Sequence, residues 1–149
     1  MAVSTPPKAE VFSLHTPLLS EGRTTTFVAR AEMMSVAIKV YSEGGENALH
    51  THASEDHAFV VLDGEATFYD QDDNARVVKK YEGIMLPAGA FYWFQSTGNT
   101  NLVLLRTAGF MPGKTGDDRL KLDGSPLPSE SAENKHITGV PVPGKFFGD

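Results

Sequence analysis

The chain has 149 residues, 40% hydrophobic and 21% charged, which suits one soluble globular domain with a real core. Its formal net charge of −6, with no stretch that gathers Lys and Arg, argues against a nucleic-acid partner. The absence of cysteine excludes disulfides and thiolate metal sites, so any metal must be held by nitrogen and oxygen.

Residues 1–23 are broken by Pro6, Pro7 and Pro17 and read as an N-terminal arm with at most one edge strand. The first residues lack the apolar core of a secretory signal, and no segment approaches the ~20 apolar residues of a membrane span. The expectation is a cytoplasmic protein without membrane association.

Residues 24–108 read as a β-barrel core made of short strands with turn chemistry between them. Thr24 to Ala31 is rich in Thr, Phe and Val. Ser35 to Tyr41 alternates, with Val36, Ile38 and Val40 on one face and Ser35, Ala37, Lys39 and Tyr41 on the other. After the break at Gly44-Gly45 comes a histidine-rich segment, then an apolar strand from His57 to Leu62. Asp63-Gly64 signals a hairpin, so Ala66 to Asp70 is expected to pair back on that strand. Asp72-Asp73-Asn74 turns the chain into a strand from Arg76 to Tyr81, and Glu82-Gly83 leads into Ile84-Met85-Leu86. Ala90 to Ser96 is an aromatic strand with Ala90, Tyr92 and Phe94 inward, and Leu102 to Thr107 is a last apolar strand. About eight short strands at this spacing, without a sustained helical period, indicate an all-β sandwich or barrel. Residues 109–149 form an irregular arm rich in Pro and Gly, in which Gly116 to Leu122 has room for one helical turn. The arm is expected to be ordered, because Phe146 and Phe147 are poorly placed in water. The whole chain, 1–149, is one domain.

Chemistry concentrates at His50, His52 and His57. Residues two apart on a strand point the same way, so His50 and His52 present both imidazoles to one interior point, and a short loop returns the chain to His57. Three neutral imidazoles on one face suit a divalent transition metal. Glu46, Glu55 and Asp56 are candidates to orient imidazole N–H groups, with solvent exposure the ordinary state of such loop acids. His15 and His136 lie away from the cluster and are given no role. There is no Ser-His-Asp order, phosphate-binding glycine loop or thiol nucleophile.

Gly44-x5-His50-x-His52-x4-His57-x6-Gly64 resembles the first motif of the cupin superfamily, G-x5-H-x-H-x(3,4)-E-x6-G. Gly83-Ile84-Met85-Leu86-Pro87-Ala88-Gly89-Ala90-Phe91-Tyr92 is similar to the second, G-x5-P-x-G-x2-H-x3-N, with the first glycine two residues closer to the proline. The resemblance implies a small jelly-roll β-barrel with one divalent transition metal inside it (Fe, Zn, Ni, Cu or Mn), often as a homodimer. His57 stands where the family has glutamate, Tyr92 where it has the second-motif histidine, and Ser96 where it has asparagine. A shift of one would put Asp56 at the glutamate position. The spacing to Gly64 favours His57, and Asp56 would point the other way in a strand. The implied ligand set is therefore His50, His52 and His57. Tyr92 is either a weak ligand, a hydrogen-bond partner or acid/base for substrate, or an aromatic pocket wall.

Similarity to quercetinase-like and diketone-cleaving cupins implies a dioxygenase acting on an enolisable or phenolic small molecule. The alternatives are a non-redox metal-dependent isomerase, lyase or cyclase, and a cupin that binds a small ligand without turnover.

Overall fold

The computed structural model describes residues 5–43, 45–114, 116 and 118–149, so Gly44 of the first motif lies outside the described residues. Among them there are twelve strands and no helix: β1 (Thr16–Glu21), β2 (Arg23–Arg30), β3 (Met34–Tyr41), β4 (Thr51–His52), β5 (Glu55–Asp63), β6 (Glu65–Tyr69), β7 (Ala75–Lys79), β8 (Gly83–Leu86), β9 (Trp93–Ser96), β10 (Leu102–Phe110), β11 (Arg119–Leu120) and β12 (Val140–Phe147). A five-stranded sheet runs β2-β3-β10-β5-β8 and a three-stranded sheet runs β7-β6-β9, with two-stranded pieces β1-β12 and β11-β4. All pairings between these strands are antiparallel, as expected of a jelly-roll barrel.

The alternation along β3 places the core. Ala37 and Tyr41 are buried on one face, and Ile38 and Val40 on the other. The first face joins an interior cluster with Phe59, Phe68, Phe94 and Leu104. There Phe94 stacks on Phe68 at 4.7 Å and meets Tyr41 edge-on at 4.9 Å. The second face is covered by the termini. Leu19 of β1 packs with Ile38, Val40 and Val103, and Phe147 of β12 leans on the same cluster. The C-terminal arm is thus ordered, because β12 pairs with β1 and brings Phe147 onto the apolar cluster that Leu19 covers.

Two expectations are corrected. Ala66 to Asp70 does not pair back on the strand before it, because both edges of β5 are taken by β10 and β8, and β6 pairs with β7 and β9 instead. The Asp63-Gly64 turn carries the chain between sheets. Gly64 has φ of 79°, and a Cβ there would meet the Asn101 carbonyl oxygen at 2.7 Å. Gly116 to Leu122 forms no helical turn among its described residues; Arg119 and Leu120 are extended because they pair with His52 and Thr51.

Register makes one end of the barrel polar. On the inner face, Tyr41 lies opposite Leu102, whereas further along Ala37, Arg106 and Phe59 align, and then Ser35, Ala108 and His57. Beyond them Phe110 faces Glu55. No helix among the described residues is long and apolar enough to cross a membrane.

Candidate metal centre

Glu55 and His57 both point inward from β5, since residues two apart share a face, and the intervening Asp56 is exposed and accepts the Ala88 N–H at 2.8 Å. His52 comes from β4, which is held on one side by β11 and by Gly89, whose N–H donates to the His52 carbonyl. The result is a buried group of two imidazoles and one carboxylate, His52, Glu55 and His57, whose donor atoms all lie within 4.8 Å of one another. Glu55 Oε1 is 2.7 Å from His57 Nε2 and 3.0 Å from His52 Nδ1.

These distances fit a metal. Ligand atoms at right angles around a centre with bonds of about 2.1 Å lie about 3 Å apart. The His52 ring also has no aligned hydrogen bond to either buried nitrogen, so its lone pair has no protein partner. Burial lowers the pKa of His52 and takes that of His57 down to about 4, so both are neutral and able to ligate. Burial alone would raise Glu55, but the His52 and His57 imidazoles beside it outweigh this and hold the carboxyl well below the usual range. Two neutral imidazoles and an anionic oxygen form a hard-to-borderline donor set suited to iron, zinc, manganese or nickel.

His50, part of the ligand set the sequence suggests, lies beside this group. It is fully buried, and its Nδ1–H donates to the Ala48 carbonyl at 2.6 Å, which leaves Nε2 with the lone pair. Its ring is 5.1 Å from that of His52 and 4.5 Å from that of Tyr92. Tyr92 is bridged to His50 through both main-chain hydrogen bonds, and its phenol oxygen reaches to 3.5 Å from His57 Nδ1. Burial pushes the Tyr92 phenol upward, so it stays protonated. Glu46 is half-buried and its carbonyl accepts from Arg23. His15 stacks on Phe146 and His136 accepts from Arg23, both away from the group.

Sequence reasoning underrated Glu55 by placing it in the loop. The signal was the alternation itself: if β5 begins two residues before His57, Glu55 shares the face of His57. It also missed the cations. Lys39, Arg106 and Arg119, together with Arg23 and Arg30, line a cavity of about 730 Å³ that His52 and Glu55 also line. The chain has no basic run, yet strands distant in sequence gather these cations inside the barrel mouth.

Comparison with known proteins follows this geometry. A family model described as a cupin domain matches residues 37–107. A Klebsiella pneumoniae protein with a double-stranded β-helix domain is similar, with a TM-score of 0.64 at 16% identity over 78% of this chain and 95% of its own. The Schizosaccharomyces pombe Cnp3 cupin domain aligns with a TM-score of 0.56 at 16% identity, covering 62% of this chain and 68% of its own. An RmlC-like cupin from Desulfovibrio desulfuricans aligns with a TM-score of 0.54 at 18% identity, covering 73% and 96%. A comparison with curated protein sequences returns no match. With the histidine segment on barrel strands, a cupin-domain match across β3 to β10 and a shared double-stranded β-helix, residues 37–107 of the chain form a cupin domain.

Proposed function

We propose that the chain is a mononuclear metal-dependent enzyme acting on a small organic molecule, and that its reaction is the dioxygenation of an enolisable or phenolic compound. The observation that supports this most is the buried His52–Glu55–His57 group, whose His52 and Glu55 line a cavity of about 730 Å³. Two histidines and one carboxylate with open positions are the donor set of many non-haem iron(II) oxygenases. His52, Glu55 and His57 would hold the ion, and His50, its tautomer set by Ala48, would add a further nitrogen. A bound iron(II) supplies Lewis acidity and a place for O₂ to react.

The chain's own residues supply the rest. Glu55 stays ionised and brings an anionic oxygen to 2.7 Å from His57 Nε2, which completes the donor set. Tyr92, protonated and buried, has its phenol 3.5 Å from His57 Nδ1, where it would serve as a proton carrier at the centre. That protonated phenol also supports a second reading, a non-redox isomerisation, elimination or cyclisation in which Tyr92 passes the proton.

Reconstitution with each candidate metal followed by elemental analysis tests the metal. Close to one ion per chain is expected, lost in His52→Ala and Glu55→Ala. A small fraction of one ion in the wild type would end the metal reading. Oxygen uptake by the iron form on a panel of diketones and phenols tests the reaction. Turnover without oxygen uptake would replace dioxygenation by the non-redox reading.

A further inference from the structure

The barrel mouth reverses the charge of the molecule. The chain carries 13 Lys and Arg against 19 Asp and Glu, yet five cations and only two acids, Glu55 and Glu130, line the cavity among the described residues. Of the two acids, Glu55 is turned to His52 and His57. Arg23 is a structural cation, fastened to main-chain carbonyls, and Arg30 lies over the Phe110 ring at 5.0 Å.

The other three cations differ. Arg106 is only 7% exposed, is held by Ser35 at 2.9 Å through one terminal nitrogen, and keeps its Nε–H without a partner. Arg119 lies directly opposite His52 in the β4–β11 pair and likewise has a buried Nε–H without a partner among the described residues. Lys39 projects into the same space, its Nζ 5.7 Å from the rings of both Tyr41 and Phe59, with no carboxylate of the described residues in ion-pair range. Buried guanidinium donors without partners are costly unless a ligand supplies the acceptors.

We propose that this cavity binds the carboxylate of a small organic acid through Arg106, Arg119 and Lys39, beside the His52–Glu55–His57 group. The planar Nε–H edge of arginine matches a carboxylate. The described residues offer no helix N-terminus to cradle a phosphate. Phe27, over which the Arg106 guanidinium lies at 5.1 Å, and Phe110 give the cavity an apolar side for the acid's carbon skeleton. This names the substrate class of the proposed enzyme, and it rests on that reading only in taking the cavity as the substrate's seat.

Calorimetric titration of the full chain, metal-stripped and metal-loaded, tests it with benzoate, succinate and glutarate, with succinamide as a neutral control and inorganic phosphate as the other oxyanion. At least one carboxylate is expected to bind both forms, and succinamide neither. Arg119→Met and Arg106→Met are each expected to weaken that binding by about 10-fold or more. Circular dichroism and thermal melts show whether each variant is folded, and Lys39→Met serves if Arg106→Met is not. Failure of all three carboxylates, tighter binding of phosphate, or unchanged affinity in the folded variants would overturn the proposal. Carboxylate binding by a chain that takes up no metal would uphold it while ending the metal reading. Metal uptake with no carboxylate binding would do the reverse.

Discussion

Arg23→Met removes the clamp between the barrel and the C-terminal arm. The Arg23 guanidinium donates to the carbonyls of Glu46, Ser129 and Asn134 at 2.9, 2.9 and 3.2 Å, and to His136 Nδ1 at 3.3 Å. At a net value of about 1 kcal/mol per hydrogen bond, four bonds amount to about 4 kcal/mol. Two effects offset this. Burial lowers the Arg23 pKa, so the native state carries a desolvation cost that methionine does not, and water reaches the freed carbonyls once the arm loosens. The expected loss is about 2–4 kcal/mol, which at a urea slope of about 2 kcal/mol/M moves the midpoint down by about 1–2 M. Hydrogen-exchange mass spectrometry should show residues 127–139 losing protection while β3, β5 and β10 keep theirs. Arg23→Lys, with the charge but without the fork, should recover less than half of the loss. A loss below about 0.5 kcal/mol with protection intact would refute the clamp, because surface substitutions alone give that much.

Phe94→Ala, at a fully buried ring packed on Phe68, Tyr41 and Phe59, should cost about 3–5 kcal/mol in chemical denaturation. Deleting residues 140–149 removes Phe147 and the strand that pairs with β1, so Leu19 and the cluster beneath it should loosen, and the truncated chain should bind a hydrophobic dye and aggregate at concentrations where the full chain stays dispersed. Gly116→Ala should weaken metal uptake in reconstitution without unfolding the barrel, because a Cβ there, at φ of 85°, would meet Glu55 Oε2 at 2.6 Å. Lys39→Met should stabilise the ligand-free protein by about 1 kcal/mol or more. Burial and the neighbouring Arg106, Arg119 and Arg23 lower the folded pKa of Lys39. Between that depressed value and about 10.4 the unfolded chain binds a proton that the ligand-free folded one has released, so wild-type stability should rise with pH across that window. Below the depressed value the penalty is constant. The variant should lose this slope, and urea midpoints measured across the range check it.

The strands were readable because their physics is local. β3 alternates over its whole length, and the turn residues between β6 and β7 act within a few positions: Asp70 Oδ1 accepts the N–H groups of Asp72 and Asn74, and Asp73 takes φ of 60°. Pairing was not local. Asp63-Gly64 has the chemistry of a hairpin, but β5 already has β10 and β8 on its edges, and no short window of sequence reports that competition. Likewise Arg119 and Leu120 are extended only because His52 and Thr51, far earlier in the chain, give them a strand to pair with.

The same division explains the site. The histidines were visible because three of them stand within eight residues, and their spacing alone brings two to one face. Glu55 was hidden by one uncertain boundary: counted in the loop it is an ordinary solvated acid, and counted as the first residue of β5 it faces inward with His57. The structure resolves this through its partner strand, since Phe110 lies opposite Glu55 and extends the β10 pairing to that position. The cavity cations were hidden more deeply. Lys39, Arg106 and Arg119 sit on β3, β10 and β11; the first two stand alone among apolar neighbours, Arg119 is masked by the acids around it in sequence, and a net charge of −6 averages all three away. Only the antiparallel register, with Arg106 between Ala37 and Phe59 and Arg119 across from His52, turns three scattered residues into one positive wall. A ligand's charge is therefore better judged from the inward positions of paired strands than from the total, because the low dielectric inside the barrel magnifies those few charges while water screens the rest.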